Sequence, residues 1–306
     1  VDFAEIPRHH DADRNDGIPD GQDNRHEDQQ GLSRVNEELI MKISFLGTGT
    51  MGRAIISGLQ KNLTGVSIIA YDKIESARAN LGGNVTIAEP EAWFTADPPD
   101  AVIIAVKPAD IGSALGQFAD VNVDRVRKPL WISIAAGTTI GALARHLPDG
   151  ARLCRVMPNT PALIGRGMSA YALADNCAEA DKAIVETVFS ACGKVAAVQE
   201  KLMNAVTGLS GSGPAYVFLF IESMIEAGIV AGLPRDIARA CALQTVLGSA
   251  AMAAESADSL SDLMMKVMTP AGTTARGVTV LEQAGLRHTM IKAVGAAARR
   301  AEELEH

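Results

Sequence analysis

Cysteine, histidine and aromatic residues are scarce in this chain, and each scarcity excludes a class of protein. The four cysteines (Cys154, Cys177, Cys192 and Cys241) lie far apart and form no CxxC pair. In a chain of 306 residues that pattern argues against a disulfide framework and for reduced thiols in a cytoplasmic setting. Beyond residue 40 the only histidines are His146, His288 and His306, which show no ligand spacing, so no metal site is expected. Aromatics make up 4% of the chain while Ala and Gly abound, which predicts tightly packed helices and sharp turns.

An excess of positive charge is missing too. Residues 1–40 hold eleven acids and four arginines, a balance of −7, and the remainder holds 25 acids and 24 bases, so nearly all of the net charge of −8 belongs to the N-terminal stretch. The body has no basic footprint that would argue for nucleic acid. Its longest apolar run, 216–231, is broken by Glu222 and Glu226 and is shorter than the roughly 20 residues of a membrane span. It reads as a buried helix, and no membrane partner is expected. Residues 1–40 show no hydrophobic run behind a basic start and almost no core formers. They are expected to form a disordered extension ahead of Met41. At the other end, residues 304–306 (Leu304, Glu305, His306) resemble the remnant of an affinity tag and are set apart from the fold.

From Met41 onward the pattern alternates. Segments 42–46, 66–71, 101–106 and 130–134 read as apolar strands, 153–156 is a further candidate, and 51–59 reads as a helix. Segment 101–106 is apolar throughout, as a strand covered on both faces should be. The alternation predicts an α/β fold, with a doubly wound parallel sheet of Rossmann type over residues 41–200. Past residue 200 the strand patterns stop. Segments 214–230, 234–254, 259–267, 274–284 and 287–303 carry helical periodicity, with Pro in first turns and Gly at ends. Residues 201–303 are therefore read as an all-α second domain.

Gly47-Thr48-Gly49-Thr50-Met51-Gly52 is a G-x-G-x-x-G run between the first strand and the first helix. The first glycine permits the turn, the second lets a pyrophosphate approach the backbone, and the third allows close helix–strand packing. Asp72 follows 20 residues after Gly52, at the end of the second strand, where an acid accepts hydrogen bonds from the ribose of NAD. Lys73, next to it, suits the extra phosphate of NADP. Ala105-Val106-Lys107-Pro108 and Ile134-Ala135-Ala136 leave two further strands at the edge where such a cofactor lies.

Three longer segments are more informative: MPNTP at 157–161, TGLSGSGPAY at 207–216 and TPAGTT at 269–274. With AVKP at 105–108 in the same order, they make the stretch from about Lys42 to Glu303 resemble the pyrroline-5-carboxylate reductases. The resemblance implies reduction of 1-pyrroline-5-carboxylate to L-proline, with NADPH favoured and NADH possible, in a homodimer or higher homo-oligomer built through the helical domain. It implies that Thr269 and Thr273 hold the substrate carboxylate, that the catalytic Thr274 meets the ring nitrogen, and that Glu200 lies near the substrate. The sequence departs from the family's usual pattern at Lys266, Met268, Ala271 and the Asp72-Lys73 pair. Two other readings stay open. Lys201 and Asn204 are spaced like the Lys and Asn of β-hydroxyacid dehydrogenases, although the nearest preceding glycine, Gly193, is eight residues before that Lys. A non-catalytic dinucleotide sensor would need only the front half.

Overall fold

Strands here are short apolar runs whose alternate residues go to two different cores. In the computed structural model, which describes residues 41–305 apart from Asn84, the first half runs β1 (Met41–Leu46), α1 (Thr50–Asn62), β2 (Val66–Tyr71), α2 (Glu75–Arg78) and β3 (Val85–Ile87). It continues through β4 (Ala101–Ile104), α3 (Ile111–Gly116), α4 (Val123–Arg127), β5 (Leu130–Ser133), α5 (Ile140–Ala144) and β6 (Arg152–Met157). Then come β7 (Gly167–Leu173), α6 (Glu179–Ser190) and β8 (Gly193–Ala197). The expected disorder of residues 1–40 lies outside the described residues.

The eight strands form one sheet in the order β3-β2-β1-β4-β5-β6-β7-β8. Ile43, Phe45, Ile103 and Ile132 face one core, while Leu46, Val102, Ile104 and Trp131 face the other. The few aromatics are concentrated: Trp93, Phe94, Phe118 and Trp131 pack together with ring centroids 5.2–6.3 Å apart. The chain winds outward from β1 in one direction and from β4 in the other. The crevice at the carboxyl ends of β1 and β4 is thus the topological switch point, where open α/β sheets bind ligands.

The sheet corrects the all-parallel expectation at one place. β7 runs antiparallel to β6, while the remaining neighbours are parallel. The turn through Asn159 and Gly165 reverses the chain directly, so no crossover helix is needed. The strand expected over 101–106 stops at Ile104, and Ala105 and Val106 form its exit.

The second half comprises α7 (Met203–Val206), a π-turn (Thr207–Gly211), α8 (Gly213–Val230), α9 (Arg235–Glu255), α10 (Leu260–Val267), α11 (Thr273–Gln283) and α12 (Leu286–Glu303). Met203 joins it to the sheet in a small core with Ala170 and Ala172. The buried-helix expectation for 216–231 is wrong for the single chain: α8 has no buried residue, and Phe218 and Leu219 are each 65% exposed. A helix apolar all round needs cover on every side, and among the described residues α8 packs chiefly on α9 and the π-turn. Among the described residues, Glu200–Val230 and Arg235–Glu255 are also long and apolar enough to cross a membrane, by length and composition alone. Leu304 and Glu305, set apart above, make contacts with the body. The Leu304 carbonyl closes on Gly137, and Glu305 pairs with buried Arg155 at 2.8 Å.

Candidate active site

The three glycines of the first loop do different physical work. Gly47 has φ +102, and a Cβ there would lie 2.7 Å from the backbone carbon and oxygen of Ala105. A Cβ on Gly52 would lie 2.7 Å from the Gly47 oxygen, so α1 can approach the turn only without it. A Cβ on Gly49 would meet no atom within 4 Å, and the residue faces a cavity of about 320 Å³. It also starts α1, whose first turn receives no side-chain cap. Open space over uncapped helix N–H groups is what a pyrophosphate requires, so these residues fit a dinucleotide.

Gly47, Gly49, Asp72, Lys73, Ala105, Val106 and Lys107 all line this cavity. Thr48, Thr50, Met51, Gly52, Pro108, Ile134, Ala135 and Ala136 do not line it. Thr48 is fully buried because its hydroxyl donates to the Ala77 carbonyl at 2.6 Å, tying the loop to α2. Ala135 is buried in the core that holds Trp131, and Ile134 packs against the opposite core. Sequence reasoning missed Asp110, Ser113 and Gln117, which line the cavity from α3 and its start. Their spacing of three and four residues was the available signal, since it places them on one helical face.

Asp72 holds the turn. Its Oδ2 accepts from the Thr48 N–H at 2.8 Å and its Oδ1 from the Ile74 N–H at 2.9 Å. Lys73 reaches the Asp110 carboxylate at 2.6 Å. The hydrogen bond to Asp110 raises the Lys73 ammonium pKa, and the same contact lowers that of Asp110. Beside them the phenol of Tyr71 is pushed up by burial and then by Glu89.

The MPNTP and TGLSGSGPAY segments meet. Asn159 donates to the Ser210 carbonyl at 3.2 Å and accepts from the Met168 N–H at 2.8 Å, and a Cβ on Gly211 would lie 2.5 Å from the Met157 methyl. Gly208 would clash with the Val294 carbonyl at 2.7 Å, so its bareness lets α12 lie against the π-turn. Gly208 and Gly211 are packing devices around an element that interrupts regular helix. Glu200 lies just before it, where its Oε1 accepts from the Ile140 N–H at 2.6 Å and stands 3.7 Å from Arg155.

The structure does not bring the Thr-rich loop to the cavity. Thr269 and Thr273 are exposed and Thr274 is half-buried, while α11 packs on α12. Gly272 is the N-cap of α11 and offers no side chain, so the helix begins uncapped. A Cβ on Gly272 would fall 2.2 Å from the Thr269 hydroxyl. Ala271 sits at φ +60, a left-handed conformation that costs an L-residue roughly 1–2 kcal/mol. Ala271→Gly should therefore raise the thermal unfolding midpoint by about 1–3 °C. A lowered midpoint would show that the loop does not hold this conformation. Lys266, another departure, pairs with Asp258 at 2.5 Å.

Residues 200–304 match the domain family described as pyrroline-5-carboxylate reductase dimerisation, and residues 42–137 match NADP oxidoreductase, coenzyme F420-dependent. The pyrroline-5-carboxylate reductase of Synechocystis sp. is 40% identical over 268 residues, covering 86% of this chain and 98% of that protein. The chain belongs to the pyrroline-5-carboxylate reductase family. The Escherichia coli reductase is 36% identical over 269 residues, with 86% of this chain and 98% of that protein covered. Among solved structures, a pyrroline-5-carboxylate reductase from Coxiella burnetii superposes with a TM-score of 0.78 at 33% identity, covering 87% of this chain and 99% of that one. A Plasmodium falciparum pyrroline carboxylate reductase with NADP bound gives 0.75 at 32% identity, covering 88% and 99%. The dinucleotide cradle is thus that of an NAD(P)H-dependent reductase of this family. The dehydrogenase-like pairing of Lys201 and Asn204 is not favoured, because Lys201 stands exposed on a short 3-10 turn.

Proposed function

We infer that the chain reduces 1-pyrroline-5-carboxylate to L-proline, with NADPH favoured over NADH. The observation that carries this reading is the union, in one chain, of the Gly49 cradle at the switch point with the family's helical segment over 200–304. When bound, the reduced nicotinamide supplies a hydride to the imine carbon. The protein's part is to hold a small anion in register and to keep a proton on its ring nitrogen.

We assign the carboxylate to the 269–274 loop. Thr269 and Thr273 offer hydroxyls, and the uncapped first turn of α11 offers N–H groups, a combination suited to an anion. Thr274 meets the ring nitrogen. Glu200, a carboxylate facing Arg155, favours the protonated and more electrophilic iminium. One chain keeps this loop away from its own cavity, and it also leaves α8 uncovered. Both features fit a homodimer in which a second copy covers the helices and completes the site. The dimerisation domain supports that arrangement. All four cysteines are free thiols, which supports a cytoplasmic setting.

The test is to follow absorbance of NADPH and of NADH with 1-pyrroline-5-carboxylate as substrate. Oxidation of either cofactor, with proline as product, is expected. Cofactor binding with no turnover on the imine would leave a dinucleotide sensor and remove this reading.

A further inference from the structure

Two charged side chains that line the cofactor cavity, Lys73 and Asp110, are paired with each other, and the pairing bears on which dinucleotide the cavity prefers. In a fold of this kind the end of the second strand meets the adenosine ribose. Asp72 stands there, yet its two carboxylate oxygens accept from backbone N–H groups, Thr48 of the glycine loop at 2.8 Å and Ile74 of its own turn at 2.9 Å. The side chain beside it, Lys73, is the cation a 2′-phosphate would meet, and it is held by Asp110 at 2.6 Å across the cavity. Asp110 caps nothing with its carboxylate, although it occupies the N-cap position of α3. Its ion-pair partner is Lys73, and Lys107 adds a weaker attraction.

We propose that Asp110 is a specificity-determining residue that restrains binding of the 2′-phosphorylated dinucleotide by occupying Lys73. A 2′-phosphate must draw Lys73 away and then lie near a carboxylate that has lost its ion-pair partner and keeps only the weaker attraction of Lys107. A 2′-hydroxyl makes neither demand. The side chains of Lys73 and Asp110 are 66% and 33% exposed, and a solvent-facing pair of this type contributes little to the fold. The pair is therefore free to exchange partners when a ligand arrives. Lys73 draws the enzyme toward NADPH, and Asp110 limits how far.

This inference rests on the dinucleotide reading of the cavity, and the experiment separates the two. NADP+ and NAD+ are titrated calorimetrically into the full chain, as wild type, Asp110→Asn, Lys73→Met and the double variant, at low and high salt. Asp110→Asn should tighten NADP+ by about tenfold, equivalent to roughly 1.4 kcal/mol, while NAD+ stays within about twofold. The gain should shrink at high salt and vanish in the double variant. Equal tightening of both dinucleotides, no change in either, or a gain that persists without Lys73 would overturn the proposal and leave the cofactor site intact. A wild-type chain that binds neither dinucleotide would remove the cofactor reading and the proposal together.

Discussion

Replacing Gly47 by alanine is expected to abolish dinucleotide binding and to destabilise the fold together, whereas the same change at Gly49 should abolish binding alone. At φ +102 an L-residue is strained wherever the methyl points, at a cost of about 1–3 kcal/mol. The added Cβ would also lie 2.7 Å from the Ala105 carbonyl carbon and oxygen, which are backbone atoms at the exit of β4 and cannot rotate away. Overpacking of this kind adds another 1–3 kcal/mol or so. Either the loop or the strand exit must shift, and both line the cavity. Affinity for NADPH should fall by more than about 100-fold, since the geometry that brings α1's N–H groups to the phosphates is lost.

Gly49 provides the contrast. Its backbone is extended (φ −64, ψ −172), which any residue adopts, and nothing lies within 4 Å of its missing Cβ. A methyl there should leave the melting temperature within about 1 °C of wild type, because it meets no protein atom. It would nevertheless stand where a pyrophosphate approaches the backbone. Calorimetric titration paired with thermal melts reads both variants. Equal stability loss in the two, or intact binding in Gly49→Ala, would mean that the cofactor approaches from elsewhere.

The contrast between these glycines shows which parts of the molecule were legible in the sequence. The G-x-G-x-x-G run, its place between strand and helix, and the late helices followed from spacing alone, because steric rules and helical periodicity act over a few residues. The strands Val85–Ile87, Gly167–Leu173 and Gly193–Ala197 were not read. The first has three residues, too few to show a period. The second, GMSAYAL, is dominated by small side chains, and its identity as a strand comes from pairing with β6 and β8. The Lys73–Asp110 contact spans 37 residues and depends on how α3 is laid beside β2, so no local pattern encoded it. The apolar run in α8 misled for a related reason. Hydrophobicity says that a segment will be covered, but not by which chain. The end of the chain carried no signal for its ion pair with Arg155, a contact 150 residues long.

Thr274→Val is expected to lower kcat/KM for 1-pyrroline-5-carboxylate by about 10- to 150-fold while leaving NADPH affinity unchanged. Valine keeps the branched shape of threonine, and Thr274 is half-buried within the first turn of α11, so the fold should tolerate the exchange. The N-cap of that helix is Gly272 and no side chain caps it, so removing the hydroxyl takes away no helix-starting bond. On the role proposed for Thr274, what is lost is one hydrogen bond to a charged or charging ring nitrogen, a contact of about 1.5–3 kcal/mol. Each 1.36 kcal/mol or so is a factor of ten in rate, which gives the stated range. Cofactor affinity is the internal control, because the cavity lined by Gly49 and Lys73 does not include Thr274. The way the loss divides is informative. A fall in kcat with KM unchanged means that the hydroxyl acts as the nitrogen gains its final charge distribution, and a rise in KM alone means that it only seats the ring. Unchanged turnover would take Thr274 out of the reaction and move the search for the nitrogen's partner to Glu200, whose carboxylate already faces Arg155.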